Sequence, residues 1–178
     1  MSSANTANNG QGGAVRRTPH TLVVGLGNPI LGDDGIGWRV ADAVRVREPN
    51  VEIDCLALGG LSLMERLVGY ERVIIVDSIQ TRDGRIGQVY RFALDDLPDL
   101  SAGHTTAVHD TSLQTALKMG RTMGAKLPDE VQIVAVEAER VYDFSEELTP
   151  QVAAAIPEAT QAVVDLLNSW ETTGELGN

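Results

Sequence analysis

A single cysteine, Cys55, stands in a chain of 178 residues. No disulfide can form within the chain, which suits a reducing compartment, and a cytoplasmic protein is the expectation. Cys55 lies in the apolar stretch Ile53-Asp54-Cys55-Leu56-Ala57-Leu58 and reads as a buried strand residue rather than a reactive thiol. No run approaches the ~18 apolar residues that a membrane-spanning helix needs. The Arg16-Arg17 pair leads into the polar Thr18-Pro19-His20, and the apolar run beyond it is cut by Gly25, Gly27 and Pro29, so no export signal is predicted. Positive charge is scarce: 14 Lys and Arg face 25 Asp and Glu, for a formal net charge of -11. A nucleic-acid or anionic-membrane partner requires the opposite balance. Three familiar motifs are also missing. There is no G-x-x-x-x-G-K-[ST] for a nucleoside triphosphate and no G-x-S-x-G elbow for a serine hydrolase. The dinucleotide-type opening Gly25-Leu26-Gly27 has Ile30 where its third glycine belongs.

What is present is enough for one compact domain with its own core, since 43% of the residues are apolar. Residues 1–18 are rich in Ser, Asn, Gly, Ala and Gln and have nothing to bury, so a disordered N-terminal tail is expected, with the folded domain over 19–171 and a second flexible tail over 172–178. Between the tails, strand and helix patterns alternate. Thr21 to Leu26 is a short buried strand, and Ile36, Val40 and Val44 recur at helical spacing over 34–47. Val51 to Leu58 is a second strand, closed by Gly59-Gly60, with a short helix over 61–68. Val73-Ile74-Ile75-Val76 marks a strand buried on both faces within 72–79, and 87–94 reads as a strand nearer an edge. Asp110 or Thr111 can cap a helix that runs to Met123 and ends at Gly124. Glu130 to Val136 is another buried strand. Thr149-Pro150 opens a last helix that reaches about Trp170 and is kinked at Pro157. The order predicts an α/β fold: a single three-layer domain, with a mostly parallel twisted sheet of about five strands and helices on both faces.

Chemistry concentrates where buried strands end. The first strand runs through a glycine-rich turn into Asp33-Asp34, and the third strand delivers Asp77. In a parallel sheet these acids share the carboxyl edge, where α/β proteins bind ligands. Paired carboxylates repel a bare phosphate and suit a metal ion or a proton transfer. His109 completes a set of two carboxylates and one imidazole, a donor mixture that fits a first-row divalent metal with open positions. His104 is a weaker candidate as an additional ligand, and His20 precedes the fold.

The segment Gly27-Asn28-Pro29-Ile30-Leu31-Gly32-Asp33-Asp34-Gly35-Ile36-Gly37 resembles the signature of the nickel-iron hydrogenase maturation endopeptidases. The resemblance extends to Leu58-Gly59-Gly60-Leu61-Ser62, Val76-Asp77-Ser78, His109-Asp110-Thr111-Ser112-Leu113 and Leu148-Thr149-Pro150-Gln151-Val152, and so spans roughly residues 21–168. It implies an endopeptidase that removes the C-terminal extension of a hydrogenase large-subunit precursor and recognises the nickel already inserted there. It implies a metal-contacting and catalytic set of Asp34, Asp77 and His109, with Gly59, Gly60 and Ser62 lining the adjoining cleft. Nickel would arrive with the precursor, and the protein is expected to act as a monomer. Water would be activated by the metal or by a carboxylate base. One departure stands out: several relatives carry Glu where this chain has Asp34, which draws the carboxylate back by about one C–C bond, ~1.5 Å. Two alternatives use parts of the same pattern. A non-catalytic nickel-dependent docking factor would keep the same three residues and cut nothing. Peptidyl-tRNA hydrolase shares the opening Gly-Leu-Gly-Asn-Pro, but the acidic chain and the Asp33-Asp34 pair argue against it.

Overall fold

The computed structural model describes residues 20–96, 108–139 and 144–175, with backbone alone for 108–112 and 173–175. The expected N-terminal tail over 1–18 and the last three residues of the expected C-terminal tail lie outside these. Five strands form one sheet in the order β2-β1-β3-β5-β4. They are β1 (Thr21–Leu26), β2 (Glu52–Leu56), β3 (Arg72–Ile79), β4 (Val89–Ala93) and β5 (Glu130–Glu137). Strands β2, β1, β3 and β5 are mutually parallel, and β4 runs antiparallel along the outside of β5. The sheet is therefore mostly parallel, with the expected edge strand at 89–93.

Helices cover both faces. On one face lie α1 (Ile36–Arg47), α4 (Pro150–Ala154) and α5 (Ile156–Glu175), packed on Val23, Ile74, Val76, Val134 and Val136. On the other lie α2 (Gly60–Arg66) and α3 (Val108–Thr122), packed on Leu22, Val24, Val73, Ile75 and Ile133. The even-numbered and odd-numbered residues of β3 thus feed opposite cores, as the two-residue period of a strand requires. Val73, Ile74, Ile75 and Val76 are all fully buried, which is why that strand carries no polar residue between Arg72 at its start and Asp77 near its carboxyl end.

The structure moves several expected boundaries. Asp33 and Asp34 sit in a 3-10 turn over Gly32–Gly35, and the α-helix starts only at Ile36. Helix α3 begins at Val108, so Asp110 and Thr111 fall inside its first turn instead of capping it. The single kinked final helix is two helices. Pro157 has no N–H to donate back along the chain, and the break at Ala155 answers this, with the Ala155 N–H reaching Val152 O at 3.0 Å and Ala159 N–H restarting the α pattern on Ala155 O at 2.9 Å. Helix α5 then continues through Glu175, five residues past Trp170.

Candidate functional site at the carboxyl edge

Strand β1 has β2 on one side and β3 on the other. The chain leaves β1 toward β2 and returns on the far side at β3, and a reversal of this kind is where open α/β sheets form their ligand crevice, here above the carboxyl ends of β1 and β3. Two glycines let helix α1 lie directly on these strands. A Cβ on Gly37 would stand 2.2 Å from the Leu26 carbonyl oxygen and 2.5 Å from that of Val76. Gly27, at φ +117°, occupies the left-handed region, and a Cβ there would lie 1.8 Å from the carbonyl oxygen of Asp34. The chain can fold Asp34 back over β1 only because both positions lack side chains.

Asp34 is fixed from two directions. Its Oδ2 accepts the Asn28 N–H at 2.6 Å. Its Oδ1 accepts the Ser78 hydroxyl at 3.5 Å, at the long end of hydrogen-bond range. Ser78 also donates its backbone N–H to Asp77 Oδ1 at 2.8 Å. One serine therefore joins the two acids. The register explains the arrangement: Gly25 pairs with Val76, so Asp77 stands level with the end of β1. Asp77 follows Val73 and Ile75 on the α2–α3 face, and Ser78 follows Ile74 and Val76 on the α1 face. The two carboxylates approach the crevice from opposite sides of the sheet, and the partners that orient Asp34 are neutral donors. Neutral donors hold a carboxylate in place without cancelling its charge, and the charge stays available to a cation or a proton.

The adjacent acid does something else. Asp33 is only 6% exposed. Its Oδ1 accepts the Thr149 N–H at 2.6 Å and its Oδ2 the Thr149 hydroxyl at 2.9 Å. Thr149 is the residue before α4, so Asp33 ties the turn after β1 to the start of that helix. The same two segments are clasped by Gly32 N–H to Ser145 O at 2.6 Å and Ser145 N–H to Ile30 O at 3.0 Å. The Asp33-Asp34 pair read from the sequence as one feature is thus divided into an anchor and an acid facing the crevice.

Strand β2 adds the third loop at this edge, and Gly27 N–H reaches Leu56 O at 3.1 Å. Gly59 is extended and caps α2, Gly60 opens that helix at φ +55°, and Ser62 lies exposed on its first turn. His109 is in the first turn of α3 rather than in a loop before it. The C-terminal turn of α3 is held at the opposite, amino edge of the sheet, where Arg121 donates to Pro128 O at 2.7 Å. A 15-residue helix spans ~22 Å, so His109 sits at the end of α3 remote from that edge. Its side chain lies outside the described residues, and so does all of His104. Among the described residues no three His, Cys, Asp or Glu side chains are grouped to hold a metal.

Sequence reasoning missed Ser78 as the link between the acids, although it stands next to Asp77. It also missed Glu137, which ends β5 as Asp77 nearly ends β3. Glu137 is 1% exposed and accepts the Thr81 N–H at 2.6 Å and the Thr81 hydroxyl at 2.9 Å, so it anchors the β3–β4 connection. A carboxylate at the end of a buried strand was the available signal in both cases.

Comparison with known proteins is specific. Residues 40–166 match the sequence profile of the HycI hydrogenase maturation protease family. The hydrogenase expression/formation protein HupD of Rhizobium leguminosarum bv. viciae is 27% identical over 157 residues, covering 85% of this chain and 76% of that protein. The hydrogenase 2 maturation protease of Escherichia coli K12 is 28% identical over 149 residues, covering 82% of this chain and 89% of that protein. Among solved structures, the hydrogenase maturating endopeptidase HybD from Escherichia coli superposes with a TM-score of 0.68 at 26% identity, over 84% of this chain and 93% of that one.

Proposed function

From the premise that the chain belongs to the hydrogenase maturation protease family, we propose that it removes the C-terminal extension of a nickel-containing hydrogenase large-subunit precursor. The observation that carries this reading is the pair of carboxylates, Asp34 and Asp77, brought to one crevice and linked through Ser78. Nickel belongs to the substrate in this scheme. It enters with the precursor, and Asp34, Asp77 and His109 complete its coordination, since oxygen and imidazole donors suit a first-row metal. Binding a metal already seated in the precursor fixes the distance from the crevice to the scissile bond, which lowers the entropic part of the hydrolytic barrier. Asp34 and Asp77 then orient the attacking water and take its proton. Gly59, Gly60 and Ser62 border the path of the peptide. The reaction takes place in the cytoplasm with the protein acting as a monomer, in keeping with its single cysteine.

The test is the intact mass of a nickel-loaded precursor after incubation with the purified protein. Loss of one defined C-terminal peptide is the expected result, with the nickel-free precursor left whole. Complex formation without a mass change would replace the endopeptidase by a docking factor. Cleavage of the nickel-free precursor would remove nickel from the recognition step.

A further inference from the structure

Eight large apolar side chains are exposed among the described residues, and they fall into two groups. Val46, Val68, Met119 and Met123 lie on or just after helices α1, α2 and α3. Ile30, Leu58, Leu61 and Phe144 lie on loops, or the first turn after a loop, that leave the carboxyl edge of the sheet after β1, β2 and β5. Within the second group, Ile30 and Phe144 are neighbours by backbone geometry. Leu31 and Ser145 form an isolated parallel bridge, and the Ser145 N–H reaches Ile30 O at 3.0 Å, so the backbone of Ile30 lies beside the segment that begins at Phe144. Phe144 is 83% exposed and Ile30 45%. Ile30 is also two residues from Asn28, whose N–H holds the Asp34 carboxylate. Ile30 is therefore carried on the turn that positions Asp34, and Phe144 adjoins the segment hydrogen-bonded to that turn.

We propose that Phe144 and Ile30 form the apolar contact by which this protease holds its polypeptide substrate next to the crevice, engaging an apolar side chain of the precursor near the scissile bond. The proposal rests on the endopeptidase reading above. A protease of this family must bring a polypeptide up to Asp34, and this pair is carried on and beside the turn that holds Asp34. An exposed aromatic ring on a fixed backbone suits a contact that dominates binding, because little freedom is lost when it is covered. The chain has two phenylalanines. Phe92 packs against the α2–α3 core, while Phe144 stays in solvent.

The experiment measures steady-state cleavage of nickel-loaded precursor by wild-type protein, Phe144→Ala, Ile30→Ser, and a control, Val46→Ser, which alters an 84% exposed side chain in the last turns of α1. The expected result is a rise in KM of about tenfold or more for Phe144→Ala, a smaller rise for Ile30→Ser, unchanged kcat and thermal midpoint for both, and no effect for Val46→Ser. An unchanged KM in both Phe144→Ala and Ile30→Ser, with normal wild-type cleavage, overturns the proposal and leaves the endopeptidase reading standing. So does a loss confined to kcat, which would place the pair in the positioning of Asp34, or an equal KM rise for Val46→Ser. A concentration-dependent dimer in sedimentation that is abolished by Phe144→Ala overturns it by giving the surface to a second copy of the chain. Failure of the wild-type protein to cut any nickel-loaded precursor overturns the endopeptidase reading itself, and this proposal with it.

Discussion

At the amino edge of the sheet, charges are matched with opposite charges; at the carboxyl edge, carboxylates are held by neutral donors. Glu52 opens β2, Arg72 opens β3 and Glu130 opens β5. Arg66 reaches Glu52 at 3.1 Å and Asp54 at 2.6 Å, and its guanidinium lies 5.2 Å from the centre of the Tyr70 ring. Tyr70 donates to Glu52 and stacks on His20 at 4.5 Å. Arg72 donates to Trp170 O at 3.0 Å, and the Trp170 indole donates to Glu130 at 2.7 Å, fastening the end of α5 to the sheet. At the other edge, Asp33, Asp34 and Glu137 accept from backbone N–H groups and hydroxyls. The first arrangement neutralises charge and serves stability. The second orients charge without neutralising it.

That contrast sets the expected size of each perturbation. The largest effects on activity belong to the carboxyl edge. Asp34→Asn and Asp77→Asn keep shape and one acceptor oxygen but remove charge, and each should reduce precursor processing by about 100-fold or more with little shift in thermal midpoint. His109→Ala should give the same loss, and His104→Ala should process at close to the wild-type rate. Normal processing by Asp77→Asn would erase the functional side of the comparison. Next comes Arg66→Met at the amino edge. It leaves Asp54 and Glu52 without their cation while the Met side chain retains part of the packing. Urea unfolding should show a loss of ~1–2 kcal/mol, between the values for exposed and buried pairs, and the folded protein should process precursor normally. A Arg66→Met protein that is stable but inactive would show that the two edges are coupled.

Much of this was legible in the chain, for identifiable reasons. Val73-Ile74-Ile75-Val76 announces a doubly covered strand because no surface position interrupts it. The spacing of Ile36, Val40 and Val44 places α1 because those three residues occupy one buried stripe. Asp34 and Asp77 could be paired because a parallel sheet sends all its strand ends to one edge. The division between Asp33 and Asp34 could not be read, since it depends on Thr149, 116 residues away. The amino-edge network was equally hidden: His20, Glu52 and the local Arg66–Tyr70 pair come from three separate segments, which the sheet and the helix packed on it bring together. The start of α3 shifted because a helix can begin before its best capping residue when the downstream face, here Leu113, Ala116 and Leu117, is buried.

The smallest expected effect, a pH dependence of stability, tests whether the amino edge is electrostatic in the sense described. The Tyr70 hydroxyl, donating to Glu52, holds that carboxyl below its ordinary value, and Arg66 and His20 act in the same direction against a desolvation penalty. A carboxyl whose pKa is lowered by folding binds its proton more weakly in the folded state than in the unfolded one. Its contribution is fully present above the unfolded value, near 4.5, and is lost as pH falls through the folded value. Comparing wild type with Glu52→Gln isolates this group from the other carboxylates that titrate in the same range. The wild-type protein should have the higher urea midpoint at pH 6 to 7, and the gap should close progressively below about pH 4.5. A gap that persists unchanged to pH 3 would mean that Glu52 stabilises the edge through the shape of its hydrogen bond to Tyr70 and not through its charge. The amino edge would then resemble the carboxyl edge, with an acid oriented rather than neutralised, and only the cation of Arg66 would distinguish them.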